Sequence, residues 1–103
     1  MPVAFSDCEL DIGGHELRRA GQVVAVEPQV FEVLAYLATH RDRLVTKHEL
    51  LDEIWGDRFV SESTLTSRIK AARQGTGDDG EAQRVIRTVR GRGYMFVAAV
   101  AGE

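Results

Sequence analysis

Arginine and glycine alternate at the tightest point of this chain. In Arg84-Val85-Ile86-Arg87-Thr88-Val89-Arg90-Gly91-Arg92-Gly93-Tyr94-Met95-Phe96-Val97, two β-branched and aromatic runs flank an Arg-Gly-Arg-Gly centre. The pattern predicts a β-hairpin with Arg90 and Arg92 thrust outward at its tip, because glycine supplies the positive φ that a sharp turn needs. Upstream, Ser63–Arg73 predicts a helix carrying Arg68, Lys70 and Arg73. On a wheel of about 100° per residue, Leu65, Ile69, Ala72 and Thr76 share one face. Ser63, Ser67, Lys70, Ala71 and Gln74 face the other way, with Thr64 and Arg68 along one flank and Arg73 along the other. A basic helix followed by a basic hairpin can grip a polyanion, each element reaching a different groove of duplex DNA.

The overall charge of −3 argues against such a partner, but its distribution argues for one. Residues 1–62 hold 6 Lys/Arg and 12 Asp/Glu, whereas residues 63–103 hold 7 and 4. The acids of the second part fall in Asp78-Asp79-Gly80-Glu81 and at Glu103, which leaves the helix and hairpin almost purely cationic. Such asymmetry is more informative than the total.

Other chemistries find no support. His15, His40 and His48 are widely spaced and lack the Cys or carboxylate pattern of a metal site. Asp78-Asp79-Gly80 lacks the ligand spacing and terminal Glu of a calcium loop and reads as a turn. Cys8 sits between Asp7 and Glu9, which raise a thiol pKa, so no activated thiolate is expected. Neither a Ser-His-Asp set nor a P-loop is discernible, and no enzyme activity, cofactor or metal is expected. A single cysteine suits a reducing, cytoplasmic setting, and no apolar run approaches the ~20 residues of a membrane span.

The elements that must position these side chains follow from periodicity. Residues 1–27 predict a small antiparallel meander: Val3-Ala4-Phe5, Glu9–Ile12, His15–Arg19 and Gln22–Val26, punctuated by Gly13-Gly14 and Ala20-Gly21. Glu27-Pro28 opens a helix with Phe31, Leu34, Ala35 and Ala38 as its apolar stripe, widened by Val30 and Leu37. Leu44-Val45 is extended. Thr46-Lys47-His48-Glu49 matches a capping box for a second helix that turns Leu50, Leu51, Ile54 and Trp55 inward and ends at Gly56. Ser61 or Ser63 caps the basic helix, which is expected to fray near Gly75-Thr76, since Gly75 costs roughly 1 kcal/mol against alanine. The reading is one α+β domain over 1–103, with an N-terminal sheet (1–27) and a helix-turn-helix plus wing (28–98).

These residues resemble the winged-helix DNA-binding (effector) domain of OmpR/PhoB-type bacterial transcriptional regulators. The matching stretches are Val26-Glu27-Pro28…Phe31-Glu32-Val33-Leu34, Leu44–Leu51…Ile54-Trp55-Gly56, Leu65…Arg68-Ile69-Lys70…Arg73 and Ile86–Tyr94. The resemblance implies a four-stranded N-terminal antiparallel sheet, three helices and a C-terminal β-hairpin wing. It also implies double-stranded DNA as partner, with recognition helix 62–75 in the major groove. Ser67, Lys70 and Ala71 would face bases, Thr64, Arg68 and Arg73 would lie near phosphates, and Ser63 would belong to the same DNA-binding set. Lys47 would meet phosphate at the second helix's N-terminus, and the wing, 89–94 with Arg87 beside it, would place Arg90 or Arg92 at the minor groove. In this family the loop matching 56–61 can touch RNA polymerase, and two copies often occupy repeated half-sites. Such regulators usually carry a sensing or receiver domain, so the chain is expected to be the front part of a longer regulator. A reading from a different class is a protein-interaction module that uses the winged-helix fold without DNA binding, its acidic first half serving a basic partner or packing on a further domain.

Overall fold

The computed structural model describes residues 2–56 and 58–101. Asp57, inside the 56–61 loop, and residues 1, 102 and 103, including the acidic Glu103, lie outside the described residues.

Four short strands, β1 (Val3–Phe5), β2 (Cys8–Asp11), β3 (Glu16–Arg19) and β4 (Gln22–Val24), form an antiparallel meander in sequence order. Alternation sets its register: Leu10 opposes Leu17 and Phe5 opposes Cys8, and all four side chains are buried. The third strand begins one residue later than its sequence suggests, because His15 turns the chain at φ 55 and lays its ring on Phe31, 4.4 Å between centroids. The fourth ends at Val24, short of the expected Val26.

Helix α1 (Pro28–Thr39) starts on a proline, whose missing N–H is an orphan there in any case. Val30, Phe31, Val33, Leu34, Leu37 and Ala38 are buried, while Ala35 is only half-buried. After the two-residue β5 (Val45–Thr46) comes α2 (Lys47–Trp55). The Thr46 side chain accepts the Glu49 N–H at 3.1 Å. The reciprocal half of the expected capping box does not form, because the Glu49 carboxylate is taken by Arg43, at 2.6 and 2.8 Å, and by the Tyr36 hydroxyl. Leu50 and Trp55 are buried, and Leu51 and Ile54 half-buried.

Helix α3 (Glu62–Gly75) leads to a hairpin of β6 (Ile86–Val89) and β7 (Gly93–Phe96), and β7 also pairs with β5, giving the order β5-β7-β6. The expected fraying at Gly75 is not observed. Thr76 is buried, with Oγ1 donating to the Ala72 and Arg73 carbonyls at 2.9 and 3.1 Å. A Cβ at Gly75 would stand 3.2 Å from Val26 Cγ1 and 3.4 Å from Leu17 Cδ2, so the missing side chain lets the N-terminal sheet close on the helix end. The two sheets meet through an edge-to-face pair, Phe5 and Phe96, at 5.0 Å.

Candidate nucleic-acid interface

The wing's two glycines do different work. Gly91 turns the hairpin at φ 75, and the Arg92 N–H closes the turn on the Val89 carbonyl at 2.9 Å. Gly93 lies flush on β5, where a Cβ would overlap the Val45 carbonyl oxygen and crowd Thr46 Cα at 2.8 Å. Arg90 and Arg92 are exposed at the tip. Arg87 is exposed too, but alternation places it opposite Met95, on the face away from Ile86 and Thr88.

Along α3, Ser63, Ser67, Lys70 and Gln74 are exposed on one face, while Leu65, Ile69 and Ala72 are buried on the other. Thr64 is half-buried. Half-buried Arg68 donates from Nε to Gln29 Oε1 on α1 at 3.2 Å and from Nη1 to Ser67 Oγ at 3.5 Å. Ala71 is half-buried against the core and lines a cavity of about 370 Å³ with Val26, Val30 and Gln74, at the edge of the open face.

Arg73 behaves differently from its cationic neighbours. Its Nε and Nη2 donate to the Ile86 carbonyl at 3.2 and 3.0 Å, and Nη2 to Thr88 Oγ1 at 2.8 Å, so the guanidinium ties the recognition helix to the wing strand. Asp78 completes that joint. Its buried carboxylate accepts the Arg84, Val85 and Ile86 N–H groups at 2.7, 2.9 and 3.2 Å. Burial alone would raise its pKa, but these backbone donors outweigh burial and hold it below the ordinary carboxylate range. Asp79 makes the turn expected of this stretch, accepting the Glu81 and Ala82 N–H groups.

Lys47 opens α2 with its N–H on the Arg92 carbonyl at 3.2 Å and its Nζ 2.8 Å from Glu62 Oε1 at the start of α3. Among the described residues, Lys70, Arg87, Arg90 and Arg92 make no side-chain hydrogen bond or carboxylate pair, so their charges face solvent. Trp55 is core, 4% exposed. Phe59, in the α2–α3 loop, is fully exposed at 103%. Burial pushes the Cys8 thiol up to about 11, with Asp7 adding to the effect, as suits an inert thiol.

Sequence reasoning missed Gln29 and Glu62 and took Asp78 for part of a plain turn. Gln29 lies 39 residues from Arg68, beyond any local pattern, whereas Glu62 stood visible as the one acid on an otherwise cationic helix.

A helix-turn-helix with a basic helix and an arginine-tipped hairpin defines a winged-helix DNA-binding domain of the OmpR/PhoB type. Residues 21–96 match the family model "Transcriptional regulatory protein, C terminal", and the chain belongs to that family, one of transcription regulators and not of enzymes. It is 38% identical over 92 residues to the transcriptional regulator HilA of Salmonella typhi, covering 89% of this chain and 16% of that protein. It is 31% identical over 96 residues to the phosphate regulon regulator PhoB of Pseudomonas aeruginosa, covering 92% and 41%. The chain thus spans less than half the length of these relatives. Among solved structures, the Thermotoga maritima response regulator DrrB, an OmpR/PhoB homologue, superposes with TM-score 0.85 at 31% identity over 93% of this chain and 44% of that one. The Klebsiella pneumoniae RstA DNA-binding domain, solved in complex with the RstA box, gives 0.82 at 26% identity over 93% and 96%.

Proposed function

We propose that this chain binds double-stranded DNA sequence-specifically in bacterial transcription regulation. The exposed face of α3 enters the major groove, and the Arg90–Arg92 tip lies at the minor groove. The observation that carries this reading is the set of cations at Lys70, Arg87, Arg90 and Arg92, which find no carboxylate partner among the described residues and lie on the basic part of an acidic protein. Ser63, Ser67 and Lys70 read base edges, while Thr64, Arg68 and Lys47 serve phosphates and set register. Arg87, on the outer face of the hairpin, acts as a flanking phosphate contact, and Ala71 offers a methyl at the edge of the footprint. Arg73 contributes through the wing it anchors. Such a role places the protein in the bacterial cytoplasm, and among the described residues no helix is long and apolar enough to cross a membrane. The greater length of the relatives supports a place as the DNA-binding module of a longer regulator. Fully exposed Phe59 supports the 56–61 loop as a contact for RNA polymerase, and the proposal extends to a second copy bound beside the first on repeated half-sites.

Fluorescence polarisation on random duplexes, followed by selection from a random oligonucleotide pool, tests the reading. Salt-sensitive binding and an enriched motif are expected. Arg90→Ala with Arg92→Ala should weaken binding and flatten the salt slope by about one unit for each phosphate no longer neutralised. A protein that ignores DNA at low salt yet captures a protein partner would favour the interaction-module reading instead.

A further inference from the structure

On the basis of that reading, we propose that Glu62 limits affinity for DNA by holding Lys47 in an ion pair that must open before Lys47 can reach a phosphate. Lys47 and Glu62 are the first residues of α2 and α3, and the Lys47 backbone is bonded to Arg92 of the wing tip. The pair therefore sits where three DNA-facing elements converge. Glu62 is the sole carboxylate between residues 58 and 77, and none follows from 82 to 102. Its side chain is 62% exposed, that of Lys47 30%, with 2.8 Å between Nζ and Oε1.

An exposed pair of this kind is held weakly, so exchange of carboxylate for phosphate is cheap. The exchange is not neutral, however. Once Lys47 turns to the DNA, the Glu62 carboxylate stays beside the backbone and repels it, cancelling most of the counterion release that Lys47 would otherwise add. The helix N-terminus, with its free N–H groups, would on its own attract phosphate. Glu62 occupies that field first. The result is weaker binding to every duplex by a common factor, which reduces the protein's retention on non-cognate DNA.

The test is a salt titration of binding to random and selected duplexes for the wild type, Glu62→Gln, Lys47→Met, the double variant, and Glu32→Gln as a control. Glu32 is exposed on α1, outside the proposed interface, and its substitution makes the same change in net charge. Glu62→Gln should bind both duplexes about three- to tenfold more tightly and steepen the salt slope by about one unit, the share of one freed cation. Lys47→Met should weaken binding, Glu62→Gln should give a clearly smaller gain in that background than in the wild type, so that the double variant stays below the wild type, and melting temperatures should hold. With wild-type binding intact, a Glu62→Gln protein indistinguishable from Glu32→Gln would overturn this proposal alone. Tighter binding of Glu62→Gln that survives in the Lys47→Met background in full would do so too, since Lys47 would then play no part. A wild-type protein without salt-dependent binding would overturn both this proposal and the DNA-binding reading beneath it.

Discussion

The two ends of helix α3 are held in opposite ways. At its C-terminal end, Gly75 is pressed against Leu17 and Val26, Thr76 is buried, and Arg73 and Asp78 grip the start of β6 through six hydrogen bonds between them. At its N-terminal end, Ser61, Glu62 and Ser63 are exposed, the serine hydroxyls bond one another at 2.8 Å, and the tie to α2 is one solvent-facing ion pair. The partners at the first end are protein groups, most of them at least partly buried, whereas those at the second can be replaced by water or phosphate. One helix thus combines a fixed joint, which sets the wing relative to the reading face, with a replaceable end where a ligand's charges can enter.

The sharpest way to break this contrast is at the fixed joint. Asp78→Ala leaves three backbone N–H groups unpaired in or near the core, and at roughly 1–3 kcal/mol for each buried orphan a loss of about 3 kcal/mol is expected in urea unfolding. A loss below about 1 kcal/mol would mean that water replaces the carboxylate and that the joint is not fixed. Arg73→Met keeps the aliphatic packing but removes three hydrogen bonds to Ile86 and Thr88, at a cost of about 2 kcal/mol. It should also loosen β6, seen as faster amide exchange at Thr88, whose backbone N–H donates to the Gln83 side chain.

Acid should act on the fixed joint as well. Asp78 titrates below the ordinary carboxylate range in the folded protein, where burial is outweighed by its backbone donors. Glu49 is held down to about 2 by the Arg43 guanidinium first and the Tyr36 hydroxyl second. A depressed folded pKa gives stability that is present above the unfolded value, about 4, and lost as pH falls through the folded one. The urea midpoint should therefore be flat from about pH 7 to pH 5 and fall below about pH 4. In Asp78→Asn that fall should be shallower; an unchanged acid slope would show that Asp78 titrates alike in both states.

How much of this was legible depends on how far each interaction reaches along the chain. Alternation over Val3–Arg19 gave the strands, because burial of one face writes a period of two into the residues themselves. The stripe Leu65, Ile69, Ala72, Thr76 gave the buried face of α3, and Thr76 proved to be buried as a satisfied hydroxyl. Gly75 was misread as a weak point, since its propensity is local while the strand residue that closes on it, Leu17 of β3, lies 58 residues earlier. The direction of Arg73 was invisible for a related reason. A residue on the flank of a helical wheel can turn to solvent or to a neighbouring strand, and only the placement of β6 decides. Asp78 carried no periodic signal, because it acts through backbone donors whose identity does not appear in side-chain types.

The replaceable end yields the smallest effect and the finest discrimination. Ser61 occupies the N-cap position of α3 yet makes no side-chain cap bond, its hydroxyl facing Ser63 and Thr64 instead. Thr46, at the same position of α2, accepts the Glu49 N–H. N-cap substitution by alanine usually costs about 1 kcal/mol, chiefly through an orphaned N–H. Thr46→Ala should show that full cost, whereas Ser61→Ala should cost only a few tenths, because the Ser61 hydroxyl holds no backbone N–H and the Thr64 N–H goes to the Ser61 carbonyl, which alanine keeps. Equal losses in paired urea unfolding curves would mean that Ser61 caps its helix in solution, and the N-terminal end of α3 would then be as firmly held as that of α2.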